Sequence, residues 1–117
     1  MTIRSVIFSI FFLLLVSVAI YASDVTGQIE QLRNINPGNG EPGRIVVAIT
    51  GATTGCTSPS RYTFANSDTG IGKVWTSFLL TAYSLGKDVT IEGDGVCRTY
   101  PGILPNTMEG VSTIELR

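Results

Sequence analysis

The chain has no histidine and only two cysteines among its 117 residues. Catalytic serine and cysteine nucleophiles commonly rely on an adjacent imidazole, so the familiar triads and Cys-His pairs are excluded. A tetrahedral zinc site needs about four ligands, and two thiolates alone do not supply them. These absences predict a protein that is not an enzyme of these types and that binds no metal or other cofactor.

Clusters of basic residues are also missing. The chain has 8 Lys and Arg residues against 9 Asp and Glu residues. Residues 1–22 hold a single charge, Arg4, so the remainder has seven cations, nine acids and a net charge of −2. Nucleic-acid binding depends first on a basic surface that neutralises phosphates, and nucleic acid is therefore not an expected partner.

Charge is scarce at the start of the chain, where Arg4 precedes a long apolar run. This pattern is typical of a secretory signal, although a run of this length also fits a single membrane anchor. The small Ala22 and the polar Ser23 favour cleavage between them, and no cysteine follows the run as a lipoprotein would require. We expect an exported protein, periplasmic or secreted, with a signal peptide at residues 1–22 and a single domain at residues 23–117 that has no membrane contact.

The two cysteines, Cys56 and Cys97, both lie in the mature part, and an oxidising compartment allows them one pairing. A domain of this size buries only about 60 to 65% of its unfolded surface, so a covalent link would add needed stability. A loop of about 40 residues closed in this way is stabilised by about 4 kcal/mol. Two free thiols are the alternative. We place both cysteines in loops, on either side of the helix-bearing half of the domain.

Apolar and turn residues in the mature part predict five strands and one helix. The strands cover residues 25–35, 44–50, 61–65, 88–92 and 108–116, and the helix covers residues 71–85. Apolar residues at spacings of three and four define the helix, which begins near capping candidates at residues 66–70 and ends at Gly86. Its aromatic residues Trp75, Phe78 and Tyr83 are expected in the core or a subunit interface.

The order of these elements indicates a fold class. A long, bent first strand with a bulge, three strands before the helix and two after it fit an OB-fold, which is a five-stranded, partly open Greek-key barrel. The protein is thus predicted to be mainly β with one helix. Other small α+β sheets remain the alternative.

Three short patterns suggest chemistry, and each has a simpler interpretation. Glu92 and Asp94 would share one face of the fourth strand, as a carboxylate pair should, but the glycines around them indicate a solvent-facing turn. Lys73 and Lys87 stand at opposite ends of the helix and are better explained as solvated residues than as bases for a serine. Residues 70–73 lack the spacing and the hydroxyl of a phosphate loop. A small hydrolase is therefore the least favoured function.

Several segments resemble the subtilase cytotoxin B subunit and its small secreted relatives. They are residues 26–29 in the first strand, residues 55–56 before the third strand, the run at residues 75–91, and the Tyr-Pro pair at residues 100–101. The resemblance implies an OB-fold, assembly as a ring of five and binding of sialylated glycans. It also implies that Thr26 contacts the sugar, since it holds the position of a hydroxyl residue with that role.

Two departures from the family pattern concern its glycan site and its cysteines. Gly93 stands where the toxin subunits have a sugar-contacting tyrosine, and Cys97 has no clear counterpart. We therefore predict a non-enzymatic binding module for a carbohydrate or a protein, able to form a homo-oligomer. The alternative is an envelope protein that packs its helix face or a sheet edge on a partner.

Overall fold

The structure, a computed structural model, describes residues 22–36, 38, 40, 42–66 and 70–117. The predicted signal peptide, apart from Ala22, lies outside these residues. The described part contains β1 Asp24–Ile35, β2 Gly43–Ile49, β3 Arg61–Asn66, α1 Ile71–Leu85, β4 Asp88–Arg98 and β5 Met108–Leu116. No helix in this part has the length and apolarity needed to cross a bilayer.

The five strands form a closed barrel in the order β1-β2-β3-β5-β4, in which β1 also pairs with β4. Only β3 and β5 run parallel, and they pair at Tyr62 with Glu109 and at Thr63 with Gly110. This strand order with one helix between β3 and β4 is that of an OB-fold, so the predicted fold class is confirmed. The barrel is closed, rather than partly open, through the short contact between β3 and β5.

The first strand belongs to two pairings. Its first half, up to Gln28, pairs with β4, and from Ile29 onward it pairs with β2. The register shifts between Ile29 and Gln31, which is the predicted bulge. A bulge bends a strand and raises its twist, and this bend lets β1 close both sides of the barrel.

Alternating residues of the strands fill the inside of the barrel. On β2 these are Ile45, Val47 and Ile49, and α1 covers the same core with Leu79 and Ala82. The helix ends as predicted, because Gly86 takes the left-handed conformation and Lys87 donates its backbone N–H to the Ala82 carbonyl.

The start of α1 lies at one of the predicted capping candidates. Gly70 occupies the N-cap position and no side chain caps the first turn. The capping candidates at residues 67–69 lie outside the described residues. Two of the three helix aromatics, Trp75 and Phe78, pack on the barrel core, with the Trp75 ring edge-on to Phe64 at 5.3 Å, whereas Tyr83 is exposed.

A second small core lies outside the barrel. The connection from β4 to β5 folds back over the outer face of β2, where Tyr100 and Ile103 cover Val46 and Met108. This cover explains why β2 is buried on both faces. The Tyr100 hydroxyl also lies 2.8 Å from Oγ1 of Thr63 on β3, so the connection is held by a buried hydrogen bond.

β4 is longer than the sequence predicted and runs well past residue 92. The glycines of this segment do not form a loop, because two shifts in its pairing with β5 accommodate them. One shift lies between Glu92 and Gly93, and the other ends at Cys97, opposite Glu109. The placement of Cys97 in a loop is therefore wrong: it lies on β4.

The predicted disulfide between Cys56 and Cys97 is confirmed, with the two Cα atoms 5.6 Å apart. It joins the β2–β3 connection to β4. The same connection is also tied to the end of the β4–β5 connection, where the Ser58 N–H donates to the Thr107 carbonyl at 2.9 Å. The disulfide thus fastens the β2–β3 connection to β4, rather than joining two loops that flank the helix.

Candidate functional site

The described residues form a surface cleft of about 170 Å³ on the outer side of the barrel. It lies beside the β4–β5 connection, on the face of β2 and β3 through which OB-folds bind oligonucleotides and oligosaccharides. Its lining comes from four strands: Arg44, Thr63, Phe64, Ala65, Asp94, Arg98, Gly110 and Val111. Pockets that enclose a drug-sized ligand measure roughly 300–1,000 Å³, so this cleft admits only the end of a larger ligand.

Arg44, near the start of β2, is the main polar group of the cleft. Its guanidinium carbon lies 5.1 Å from the centre of the Tyr100 ring, which is a cation–π distance. The Nε atom of Arg44 is buried and has no hydrogen-bond partner among the described residues. A buried donor without a partner costs about 1–3 kcal/mol, and a bound acceptor would recover that cost.

A second arginine, Arg98 near the end of β4, stands at the other side of the cleft. Its Nη1 atom forms an ion pair with the Asp94 carboxylate. Gly110 on β5 allows this pair, because a Cβ atom at that position would overlap both Nη1 of Arg98 and Oδ2 of Asp94. With one arginine paired to Asp94 and Arg44 beside it, the cleft carries a local positive charge in an acidic protein.

Thr26, the residue expected to contact sugar, is exposed on β1 and is not part of the cleft. It pairs with Thr90 of β4, and the two hydroxyl oxygens are 2.7 Å apart. The Nε atom of Arg117 donates to the same Thr90 hydroxyl at 2.9 Å. The three residues form a polar row on an exposed surface rather than a concave site.

The other residues considered for chemistry are not brought together. Glu92 is exposed. Asp94 lies after the register shift in the β4–β5 pairing, and its carboxylate forms an ion pair with Arg98. Lys73 and Lys87 are both exposed at opposite ends of α1. Within the described residues, no group of three or more acidic or cysteine side chains is placed to hold a metal ion.

The sequence patterns predicted neither Arg44 nor Arg98 as a residue of a binding site. Arg44 opens a β-branched strand and Arg98 follows a cysteine, and neither position has a motif around it. The only available signal is Gly110, a glycine inside an otherwise regular strand, which often marks a close approach of another group. The partner of that glycine comes from β4, so no local pattern identifies it.

Comparison of the chain with known protein families, with characterised proteins and with solved structures finds no match in any of the three. The cleft is therefore interpreted from its own chemistry. Two guanidinium groups, one of them stacked on an aromatic ring, suit a carboxylate or another planar anion that accepts paired N–H bonds.

Proposed function

We propose that the mature domain is an exported, non-enzymatic binding module that recognises the acidic end of a saccharide. The observation that carries this proposal is the buried Nε atom of Arg44, which has no hydrogen-bond partner among the described residues and belongs to the cleft on the β2–β3 face. A carboxylate bound there would accept hydrogen bonds from Arg44 and interact with Arg98. The resemblance to glycan-binding toxin subunits supports a saccharide as the rest of the ligand.

The cleft and the row around Thr26 are different surfaces, so substitutions at each test different versions of glycan binding. Exported protein should be titrated with glycans that end in sialic acid and with the same glycans as neutral methyl esters. Binding to the acids alone is expected. Equal binding of acids and esters, or no binding to either, would contradict the proposal.

Arg44→Gln should weaken binding of the acidic glycan about tenfold or more, since hydrogen bonds to charged groups contribute about 1.5–3 kcal/mol. Arg44→Lys should also weaken binding, because lysine keeps the charge but lacks the planar fork. Lys87→Gln, at an exposed position after α1, is the control with the same charge change and should bind normally. Loss of binding in Thr26→Ala but not in Arg44→Gln would move the site to the row around Thr26.

A second candidate function is supported by the exposed surface of α1. Its large apolar side chains with more than two-fifths of their surface exposed are Ile71, Val74, Leu80, Tyr83 and Leu85. The described strands pair within a closed barrel, and most of the large apolar side chains exposed in the described part of the chain lie on α1, so the helix is the surface on which an interaction protein would pack. Light scattering of the exported protein distinguishes a homo-oligomer from a monomer. If the wild-type protein and the Leu80→Glu variant are both monomers by light scattering, self-association through α1 is contradicted.

A further inference from the structure

Glu109 is a buried carboxylate inside the barrel, with only 2% of its surface exposed. The ion pairs among the described residues are Arg98 with Asp94 and Arg117 with Glu115, so no side-chain cation in that part of the chain pairs with Glu109. Burying an unpaired charge costs several kcal/mol after relaxation. A carboxylate at this position is stable only if hydrogen-bond donors or another cation compensate its charge.

The donors that face Glu109 come mostly from one residue, Ser23. The Ser23 backbone N–H donates to Oε2 at 3.1 Å and the Ser23 hydroxyl donates to Oε1 at 3.0 Å. The Gly95 N–H adds a longer bond of 3.4 Å. The backbone nitrogen of Ser23 therefore lies at ion-pair distance from a buried carboxylate.

Ser23 is also held by its other polar groups. Its hydroxyl oxygen lies 2.8 Å from the Tyr62 hydroxyl on β3, and its carbonyl accepts the Gly93 N–H of β4 at 2.7 Å. Gly93 leaves space for the carboxylate, because a Cβ atom there would overlap Oε2 of Glu109. Three strands thus build a site for this one residue, whereas its neighbour Ala22 is exposed.

We propose that export cleaves the chain between Ala22 and Ser23 and that the new α-ammonium group of Ser23 is the buried ion-pair partner of Glu109. A leader peptidase adds one water across the peptide bond. Ala22 keeps the carboxylate, and the Ser23 nitrogen becomes an amine that takes up a proton near neutral pH. The neutral amide donor seen in the uncleaved chain is replaced at the same place by a cation with three N–H donors.

This arrangement defines the cleavage position to the residue. One extra residue would move the charged nitrogen by about 3.8 Å, out of contact with Glu109. One residue fewer would remove the hydroxyl that bridges Glu109 and Tyr62. Only a chain that begins at Ser23 supplies both the charge and the hydroxyl.

The test uses the full chain, exported with its own leader and recovered from the periplasm or medium. Its mass should correspond to residues 23–117, and another first residue overturns the proposal.

NMR titration of the Ser23 α-carbon should then give the pKa of the amine in the folded protein and in concentrated urea. An unperturbed α-amine has a pKa of about 7.7–8.0. The pKa in the folded protein should be higher than the pKa in urea by about one unit, which means that the amine binds its proton about tenfold more tightly. An equal or lower pKa contradicts the ion pair.

Glu109→Gln keeps the shape of the side chain but removes its charge, and it should return the pKa of the Ser23 amine to the value in urea. Glu115→Gln, at an exposed position on the same strand, should leave the pKa raised. If Glu109→Gln does not accumulate, the comparison of folded and unfolded wild-type protein still decides.

The free energy of unfolding should depend on the protonation of the Ser23 α-amine. A folded pKa above the unfolded pKa stabilises the protein at low pH, and this contribution is lost as pH rises through the folded value. The other titratable groups near this point are Tyr62 from β3, Asp24 from β1, and Glu92, Asp94 and Arg98 from β4. Burial raises the pKa of Tyr62 above 10, so it titrates after the amine. Unchanged stability between pH 7 and 10 would contradict the proposal.

Discussion

Gly93 shows at the residue scale how one missing side chain permits a buried carboxylate. The space above the Gly93 Cα atom is occupied by the Glu109 carboxylate, which a Cβ atom at position 93 would overlap. A side chain at position 93 and a carboxylate from position 109 exclude each other.

Gly93→Ala should lower the free energy of unfolding by about 1–3 kcal/mol, because the new methyl group displaces Glu109 from its donors and approaches the Ser23 carbonyl at 3.1 Å. Urea denaturation measures the change. Gly55→Ala is the matched control, since a Cβ atom there meets nothing within 4 Å and should change stability by less than about 0.5 kcal/mol. Equal losses in both variants would show that Glu109 is not held as described.

Tyr62 gives a second prediction at this scale. Burial raises its pKa, and the charges of Glu109 and Asp24 raise it further, while the hydrogen bond with Ser23 acts in the opposite direction. The unfolded chain therefore releases this proton at a lower pH than the folded protein does. Stability should fall as pH rises above about 10, the pKa of an unperturbed tyrosine.

The measurement is the free energy of unfolding from pH 8.5 to 11 in the wild-type protein and in Tyr62→Phe. Phenylalanine cannot ionise, so the decline above pH 10 should be shallower in the variant. Identical pH profiles would mean that Tyr62 is not the group responsible.

At the scale of single elements, α1 has two adjacent leucines in opposite environments. Leu79 is fully buried against the barrel, whereas Leu80 is 52% exposed. Leu79→Ala should destabilise the protein by about 2–5 kcal/mol, because a cavity forms in the core. Leu80→Ala is the matched substitution in the same helix and should cost less than about 1 kcal/mol. Thermal or urea unfolding compares them, and similar losses would contradict the placement of the helix.

The disulfide acts on the connection between β2 and β3. Since Cys56 is joined to β4 rather than to a loop beside the helix, reduction should free residues 52–60 first. Hydrogen exchange after mild reduction should show faster exchange of the Thr54 and Ser58 amides, with little change at Leu79 and Ala82. Earlier loosening of the helix amides would contradict this order and would match the expectation based on two flanking loops.

At the scale of the whole molecule, the barrel and the helix share one core. Trp75, the single tryptophan, lies on α1 and contacts Phe64 of β3. We expect cooperative unfolding, so that tryptophan fluorescence and far-ultraviolet circular dichroism give the same urea midpoint. A fluorescence transition at lower urea would indicate that α1 leaves the barrel as a separate unit.

Local patterns predicted most of the elements but fewer of the contacts. The helix from Ile71 to Leu85 and the last strand were predicted at their observed bounds, since apolar spacing and the stop at Gly86 depend only on neighbouring residues. The extent of β4 was not, because Gly93 and Gly95 resemble a turn in sequence and are strand residues only opposite β5. A glycine in a strand indicates that another group approaches the backbone closely, but the sequence does not identify that group.

The order of strands and helix, the bulge in β1 and the one possible disulfide could all be predicted without coordinates, because each follows from local periodicity or from having only two cysteines. Contacts between groups that are distant in the sequence became visible only in the folded barrel. Arg44 faces Tyr100, Gly110 of β5 lies against the ion pair of Arg98 and Asp94 on β4, and Glu109 receives Ser23 from 86 residues away. These contacts depend on barrel closure and strand register, which bring together residues that no short stretch of sequence connects.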